Sequence, residues 1–331
     1  MKFFQFIGTQ RSGSNLLRLM LNQLEGIYAP HPPHILKTFY PLIPNYGNLN
    51  SGNNFETLID DVLSWIKINP IKWKSIPSKN QIIKRSESKS LFQIFKSVYE
   101  INAELDSRVS CWCCKSLYNL NFYKNENFKN LKPIYIYIYR DGRDVSSSFM
   151  KAPIGDKHIY FLSKKWNKDQ MISLKIQEIT SKNNFFPVKY EDLLSNPKLI
   201  LKSFCDKYLI DYNDNFLDFY KSDDSISASS SGKLWKNLSR PLIKNNKEKY
   251  FNELTNNDIL LFESINHLFL KSLGYKLNFK EKLHVTSFSK DDIENFKVLN
   301  NKLKDKLLKN ISSKEILNRE MQLKLLRQLK N

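Results

Sequence analysis

Two stretches of this sequence place cations, hydroxyls and glycines where a polyanion could be gripped. The first is Gly8-Thr9-Gln10-Arg11-Ser12-Gly13-Ser14-Asn15, with two glycines five apart. An apolar run, Phe3 to Ile7, stands before it, and Leu16, Leu17, Leu19, Met20, Leu21 and Leu24 follow at helical density. Strand, glycine-bounded loop and helix N-terminus make a frame whose backbone N–H groups wrap an anion. A nucleoside triphosphatase needs Lys and then Ser or Thr directly after the second glycine, for the β/γ-phosphates and for Mg²⁺. Ser14 and Asn15 stand there instead, and the cation has moved inside the loop, to Arg11. A guanidinium pairs with a tetrahedral oxyanion through two hydrogen bonds at once, so the loop suits an anion held without metal.

The second stretch is Tyr139-Arg140-Asp141-Gly142-Arg143-Asp144-Val145-Ser146-Ser147-Ser148. It follows the strongest strand pattern in the chain, residues 133–139 (PIYIYIY), and precedes a helical one. Its groups therefore belong to the carboxyl edge of a sheet, where α/β proteins bind ligands. Arg140 at the strand end and Ser148 in the following helix are placed to converge on one phosphate, with Asp144 expected as the helix N-cap.

Together the two stretches resemble the sulfotransferase superfamily that uses PAPS, 3'-phosphoadenosine 5'-phosphosulfate. Gln10 to Leu17 is similar to the family's loop for the 5'-phosphosulfate end of the donor. Tyr139 to Ser148 is similar to its 3'-phosphate element, which uses the first Arg and the last Ser, here Arg140 and Ser148. An arginine in place of the more usual loop lysine looks like the tyrosylprotein and bacterial branches rather than the cytosolic hormone-sulfating branch. The likeness extends to Tyr190-Glu191-Asp192-Leu193-Leu194, whose tyrosine would lie near the adenine. It also takes in Ser231-Gly232-Lys233-Leu234-Trp235, similar to a late loop that closes over the donor, and covers about residues 1–275.

The resemblance implies in-line transfer of a sulfuryl group to a hydroxyl or amine, leaving adenosine 3',5'-bisphosphate. Its donor-binding residues would be Gln10, Arg11, Ser12, Gly13, Ser14, Asn15, Arg140, Ser148, Tyr190, Ser231, Gly232 and Lys233. Positioning and electrostatics carry such a step. Arg11 would neutralise the leaving oxygen, and Lys115 matches the position of a second cation in the family. Histidine is the side chain best matched to proton abstraction near neutral pH. His31 is the first candidate base and His34 the second, in a stretch stiffened by Pro30, Pro32 and Pro33. The tyrosylprotein branch has a glutamate at about this distance, so that role carries over by location only. No metal and no cofactor beyond the donor are expected.

The remaining sequence must position these groups. Strands are expected over 3–7, 108–115, 133–139 and 185–190, alternating with helices over 55–68, 90–105, 144–150 and 160–180. That alternation predicts a three-layer α/β fold of P-loop-like kind, with a mainly parallel sheet between helices. Residues 30–52 and 223–232 read as loops, the second serine-rich. A transferase domain over 1–278 is expected, then a helical extension over 279–331. Ser289 with Asp292 and Ser312 with Glu315 would open its two helices as capping boxes. Ile293, Phe296, Leu299, Leu303, Leu307 and Ile311 form one stripe, expected to pack on the body or on a second copy.

Composition sets the outer limits. Of 331 residues, 41% are hydrophobic and 13% aromatic, which suits a folded globular protein. No apolar run approaches the roughly 20 residues of a membrane span. Four cysteines, three of them at 111, 113 and 114, suggest strand packing in a reducing compartment, and hence the cytoplasm. The opening MKFFQFIG lacks a secretory signal, so a small-molecule, carbohydrate or lipid acceptor is expected over a protein tyrosine. Its pocket is expected from residues 30–54 and 72–89. The formal charge of +19 also fits a nucleic-acid-binding protein, and the glycine loop also fits a P-loop kinase or ATPase. Scattered lysines speak against the first alternative, and the missing Gly-Lys-Ser/Thr against the second.

Overall fold

Five parallel strands form one sheet in the order β2-β3-β1-β4-β5. They are β1 (Lys2–Ile7), β2 (Ile27–Tyr28), β3 (Cys111–Cys114), β4 (Ile134–Tyr139) and β5 (Phe185–Lys189). This is a computed structural model, which describes residues 1–230, 233–279, 287–309 and 313–330. In β1, Phe3 pairs with Trp112 on one side, and Phe4 with Ile134 on the other. Successive side chains of a strand face opposite ways, and helices cover both faces, so both sets are apolar. Phe3, Trp112, Tyr135 and Tyr137 pack with the helices Asn54–Lys67 and Leu91–Ala103. Phe4, Phe6, Ile136 and Ile138 pack with Ser14–Leu21 and Pro197–Tyr208. Cys111 and Cys113 join the second core and Cys114 the first, so the three thiols are divided between the faces. Pro187, which lacks an N–H, is accommodated in the edge strand β5.

The expected strands and helices are present, with ends that differ by one to three residues. Several expectations need correction. β2 is two residues long and too short to leave a periodic signal. The stretch expected as a loop over 30–52 contains a helix, Ile35–Phe39, and a 3-10 turn, Tyr40–Tyr46. The serine-rich stretch is also helical over Asp223–Ser230, where Asp223 and Asp224 favour a first turn. Asp144 is not the cap of its helix. The helix starts at Gly142, and Asp141 caps it by accepting from the Arg143 N–H at 2.9 Å. Asp144 is occupied elsewhere, by Arg140 and by the backbone N–H groups of Glu248 and Tyr250.

The C-terminal helices rest on the body. Ser289 and Asp292 form the expected capping box of Lys290–Leu308, whereas Ser312 lies outside the described residues. Phe296 stacks on His158 at 4.6 Å and approaches Tyr160 at 5.1 Å. Leu299 and Leu303 stay exposed, so the expected stripe is not a single packing face, and Ile311 lies outside the described residues. The buried side chain at the contact is polar, Asn300. From the last helix, Leu325, Leu326 and Leu329 pack against the first core, and Asn45 donates to the Leu329 carbonyl.

Candidate active site

The loop after β1 is bent back against the sheet by two glycines. At Gly8, φ is +123° and a Cβ would lie 2.2 Å from the Ile138 carbonyl oxygen. At Gly13, φ is +89° and a Cβ would lie 2.3 Å from the Tyr190 ring. Both positions therefore demand glycine. Arg11 is left-handed too, at φ 74°, a placement that costs a non-glycine residue about 1 kcal/mol. The strained backbone sends its guanidinium across to the second motif, where Nε donates to Ser148 Oγ at 3.0 Å. Among the described residues Arg11 has no carboxylate partner. Burial, and then the neighbouring Arg140, push its pKa below the ordinary value.

Arg140 leaves the end of β4 and lies over the Tyr190 ring, 4.5 Å from its centroid. Its Nη2 donates to Asp144 Oδ2 at 3.0 Å and to the Asn246 carbonyl at 2.9 Å. Its Nε is buried without a partner among the described residues. Asn246 Nδ2 donates in turn to the Tyr190 hydroxyl at 2.6 Å. A cleft of about 510 Å³ opens between the two motifs, lined by Arg11, Gly13, Ser14, Asn15, Arg140, Ser148 and Tyr190. Seven residues expected at one site thus meet at one cavity. Gln10 and Ser12 do not line it, and Ser12 is wholly buried with its hydroxyl unpartnered. Ser231, Gly232 and the side chain of Lys233 lie outside the described residues. Trp235, from the expected late loop, also lines the cleft, as do Asn246, Lys249, Lys151 and Leu307, which no anion-binding motif marks.

A second cluster sits at the carboxyl end of β3. Gln5 is buried and donates to the carbonyls of Cys114 and Ser116, and Asn119 donates to Gln5. That network fixes the strand end from which Lys115 reaches Asn15 Oδ1 at 2.8 Å. Burial and the charge of Arg18 lower the Lys115 pKa to about 7. His34 is left-handed, at φ 58°, with Nδ1 2.9 Å from Ser116 Oγ. Burial and Lys115 bring its pKa down to about 3.

His31 is buried, and neither ring nitrogen has a partner among the described residues. Trp73 Nε1 donates to the His31 carbonyl at 2.7 Å, and the Trp235 ring lies 5.7 Å from the imidazole. Burial, Lys115 and Arg18 hold its pKa well below the usual histidine range. Arg18 is itself fully buried, paired with Asp224 and donating to the Ala29 carbonyl at 2.9 Å. This pair ties the helix after the loop both to the segment before His31 and to Asp223–Ser230. It escapes sequence reading because its partners are 206 positions apart.

A parallel sheet with an anion loop after its central strand, and an arginine at the end of the next, defines a P-loop-like α/β protein. Within that class the chain belongs to the sulfotransferase family, whose model matches residues 5–214. The fold is similar to the sulfotransferase domain from the Synechococcus PCC 7002 olefin synthase. That likeness has TM-score 0.54 and 18% identity, and covers 83% of this chain and 96% of that one. It is also similar to the sulfotransferase domain from the curacin biosynthetic pathway, with TM-score 0.57 and 19% identity. There 84% of this chain and 99% of that one are covered. At such identities the likeness is one of fold. No curated protein matches the sequence.

Proposed function

We propose that this chain transfers a sulfuryl group from PAPS to a hydroxyl or amine, releasing adenosine 3',5'-bisphosphate. The observation that carries the reading is the meeting of Arg11, Arg140 and Ser148 at one cleft beside Tyr190. Two neighbouring guanidiniums, among the described residues one without a carboxylate partner and one with a buried, unpartnered Nε, suit a ligand with two anionic ends. Arg140 and Ser148 take the 3'-phosphate. The N–H groups at the start of Ser14–Leu21, with Ser14 and Asn15, take the 5'-phosphate. Gln10, Ser12, Ser231, Gly232 and Lys233 belong to our proposed donor shell by family likeness.

The transfer makes one bond and breaks one. The acceptor oxygen attacks sulfur in line, its proton passes to a ring nitrogen of His31, and the bond from sulfur to the bridging phosphate oxygen breaks. Arg11 faces the charge that develops on that oxygen, and Lys115 sits on the far side of Asn15 to share it. His31 is uncharged at neutral pH and has no competing partner among the described residues, as a base requires. His34 is the second candidate, though Ser116 already engages its Nδ1. We place the acceptor, a small metabolite, carbohydrate or lipid, between residues 30–54 and 72–89. These segments meet where Trp73 contacts Tyr28 and the His31 carbonyl. The net charge of +19 would draw anionic donors toward the cleft. Four unpaired, buried thiols suit a reducing, cytoplasmic setting.

A thermal-shift series tests the reading. Adenosine 3',5'-bisphosphate should raise the unfolding temperature, as any ligand of the native state does, whereas ATP with Mg²⁺ and oligonucleotides should not. Protection by ATP with Mg²⁺ alone would make the chain a nucleoside-triphosphate enzyme instead. Lys115 supplies a second test. With a pKa of about 7 against an ordinary 10.5, it is mostly neutral in the empty site at pH 8, and a bound anion recharges it. Binding of the bisphosphate at pH 8 should therefore take up a proton, and at pH 6 should not. Calorimetry in buffers of different ionisation enthalpy reads this directly, and equal heats at pH 8 would remove Lys115 from the site. The same shift makes folding stability rise as pH climbs from about 7 toward 10.5, because the unfolded chain binds the extra proton.

A further inference from the structure

One side of the cleft joins a segment inside the family match to a helix well beyond it. Lys151 and Pro153 line it, and both belong to the segment that follows the helix Gly142–Met150. That segment is curled around a single ammonium. Lys157 is 2% exposed, and its Nζ donates to the carbonyls of Phe149 at 3.0 Å, Ile154 at 2.5 Å and Gly155 at 3.0 Å. The curl is held from outside by the helix Lys290–Leu308. Asn300 is 4% exposed, and its Oδ1 accepts from the backbone N–H of Lys157 at 2.6 Å and of His158 at 3.0 Å. Its Nδ2 donates to Asp156 Oδ1 at 2.9 Å, an oxygen that Lys304 also reaches at 2.6 Å. Two turns further along the same helix, Leu307 lines the same cleft as Lys151 and Pro153.

We propose that the helix Lys290–Leu308 is a wall of the nucleotide cleft, with Asn300 setting the Lys151–Lys157 segment and Leu307 covering the nucleoside of the bound donor. The inference rests on the cleft being the site of adenosine 3',5'-bisphosphate. Asn300 touches no ligand, so it is a positioning residue. Its three hydrogen bonds select one placement of a segment that two others of its residues present to the cleft. Leu307 is the contact residue, an apolar side chain that joins Leu16, Pro153, Trp235 and Leu238 in a cleft that also carries the cations Arg11, Arg140, Lys151 and Lys249. An adenosine ring, apolar on its faces and flanked by phosphates, matches that division.

Calorimetry with adenosine 3',5'-bisphosphate on the full-length chain tests this in four proteins: the parent, Arg140→Ala, Asn300→Ala and Leu307→Ala. If the Asn300 bonds hold the segment in place, losing them leaves the competent placement in a minority and raises Kd about tenfold. Leu307→Ala should raise Kd about threefold through lost apolar contact. A merely structural Asn300 would lower the melting temperature of the ligand-free chain and leave Kd where it was. Parent-like Kd in both tail variants, with binding lost in Arg140→Ala, overturns this inference and leaves the donor reading standing. A parent that does not bind the bisphosphate removes the donor reading, and this inference with it. Should Asn300→Ala fail to fold, Leu307→Ala decides alone.

Discussion

Replacing Arg140 by alanine should weaken adenosine 3',5'-bisphosphate ten- to a hundredfold, the worth of one charge-assisted pair at about 1.5–3 kcal/mol. The guanidinium is already in place before any ligand arrives. Asp144, the Asn246 carbonyl and the face of Tyr190 fix three of its sides, and its Nε has no partner among the described residues. Preorganisation of this kind means that little side-chain freedom is lost on binding. The substitution also leaves Asp144 buried, although the N–H groups of Glu248 and Tyr250 still hold it. Unfolding should therefore be followed beside calorimetry. A parent-like affinity in a folded variant would remove Arg140 from the phosphate site, and with it the two-ended clamp.

His31→Gln should lower turnover by about a hundredfold to ten-thousandfold, the range that a positioned general base supplies. The affinity for adenosine 3',5'-bisphosphate should not change, because the imidazole makes no hydrogen bond among the described residues. Glutamine keeps much of the volume, and the bond from Trp73 goes to the backbone, so the segment stays anchored. The pH dependence follows from the direction of the shift. A base whose pKa lies well below 6.5 remains unprotonated as pH falls through 6.5. Then kcat/KM, which reports the free enzyme, should not drop on its acid side in that range. Full turnover in His31→Gln would transfer the role to His34 or to another group, and His34→Gln is the paired measurement.

The parts of the molecule legible in the sequence are those where neighbours in space are neighbours in the chain. β1, β4 and β5 read as strands because burial leaves short runs that are mostly apolar, broken only by Gln5 in β1 and Pro187 in β5. Arg11 and Arg140 stand out because each sits within a short loop at the end of such a run. Their convergence needed only the assumption that parallel strands end on one edge. What stayed hidden depends on pairs far apart in sequence. Arg18 looks like one polar residue in an apolar helix until Asp224 is seen beside it. Asn300 stands beside the apolar stripe as one more polar residue, and its meaning lies 143 positions away, at the Lys157 N–H. The serine-rich stretch hides its helix for a related reason. Its helix is stabilised by Ala228 and Ser225 turning inward against the body, which overrides the weak propensity of serine.

The position of β1 at the centre of the sheet has a consequence for how the chain is made. It is translated before every other strand, yet its partners are β3 and β4, each more than a hundred residues downstream. At about 5–20 residues per second, the ribosome delivers them roughly ten seconds later. For that interval Phe3, Phe4, Phe6 and Ile7 have no sheet to join, and the strand edge stays open to other chains. The central strand is thus the part of the sheet left open longest during synthesis. The helix Lys290–Leu308, which carries Asn300, reaches the Lys157 backbone only after every strand has been made.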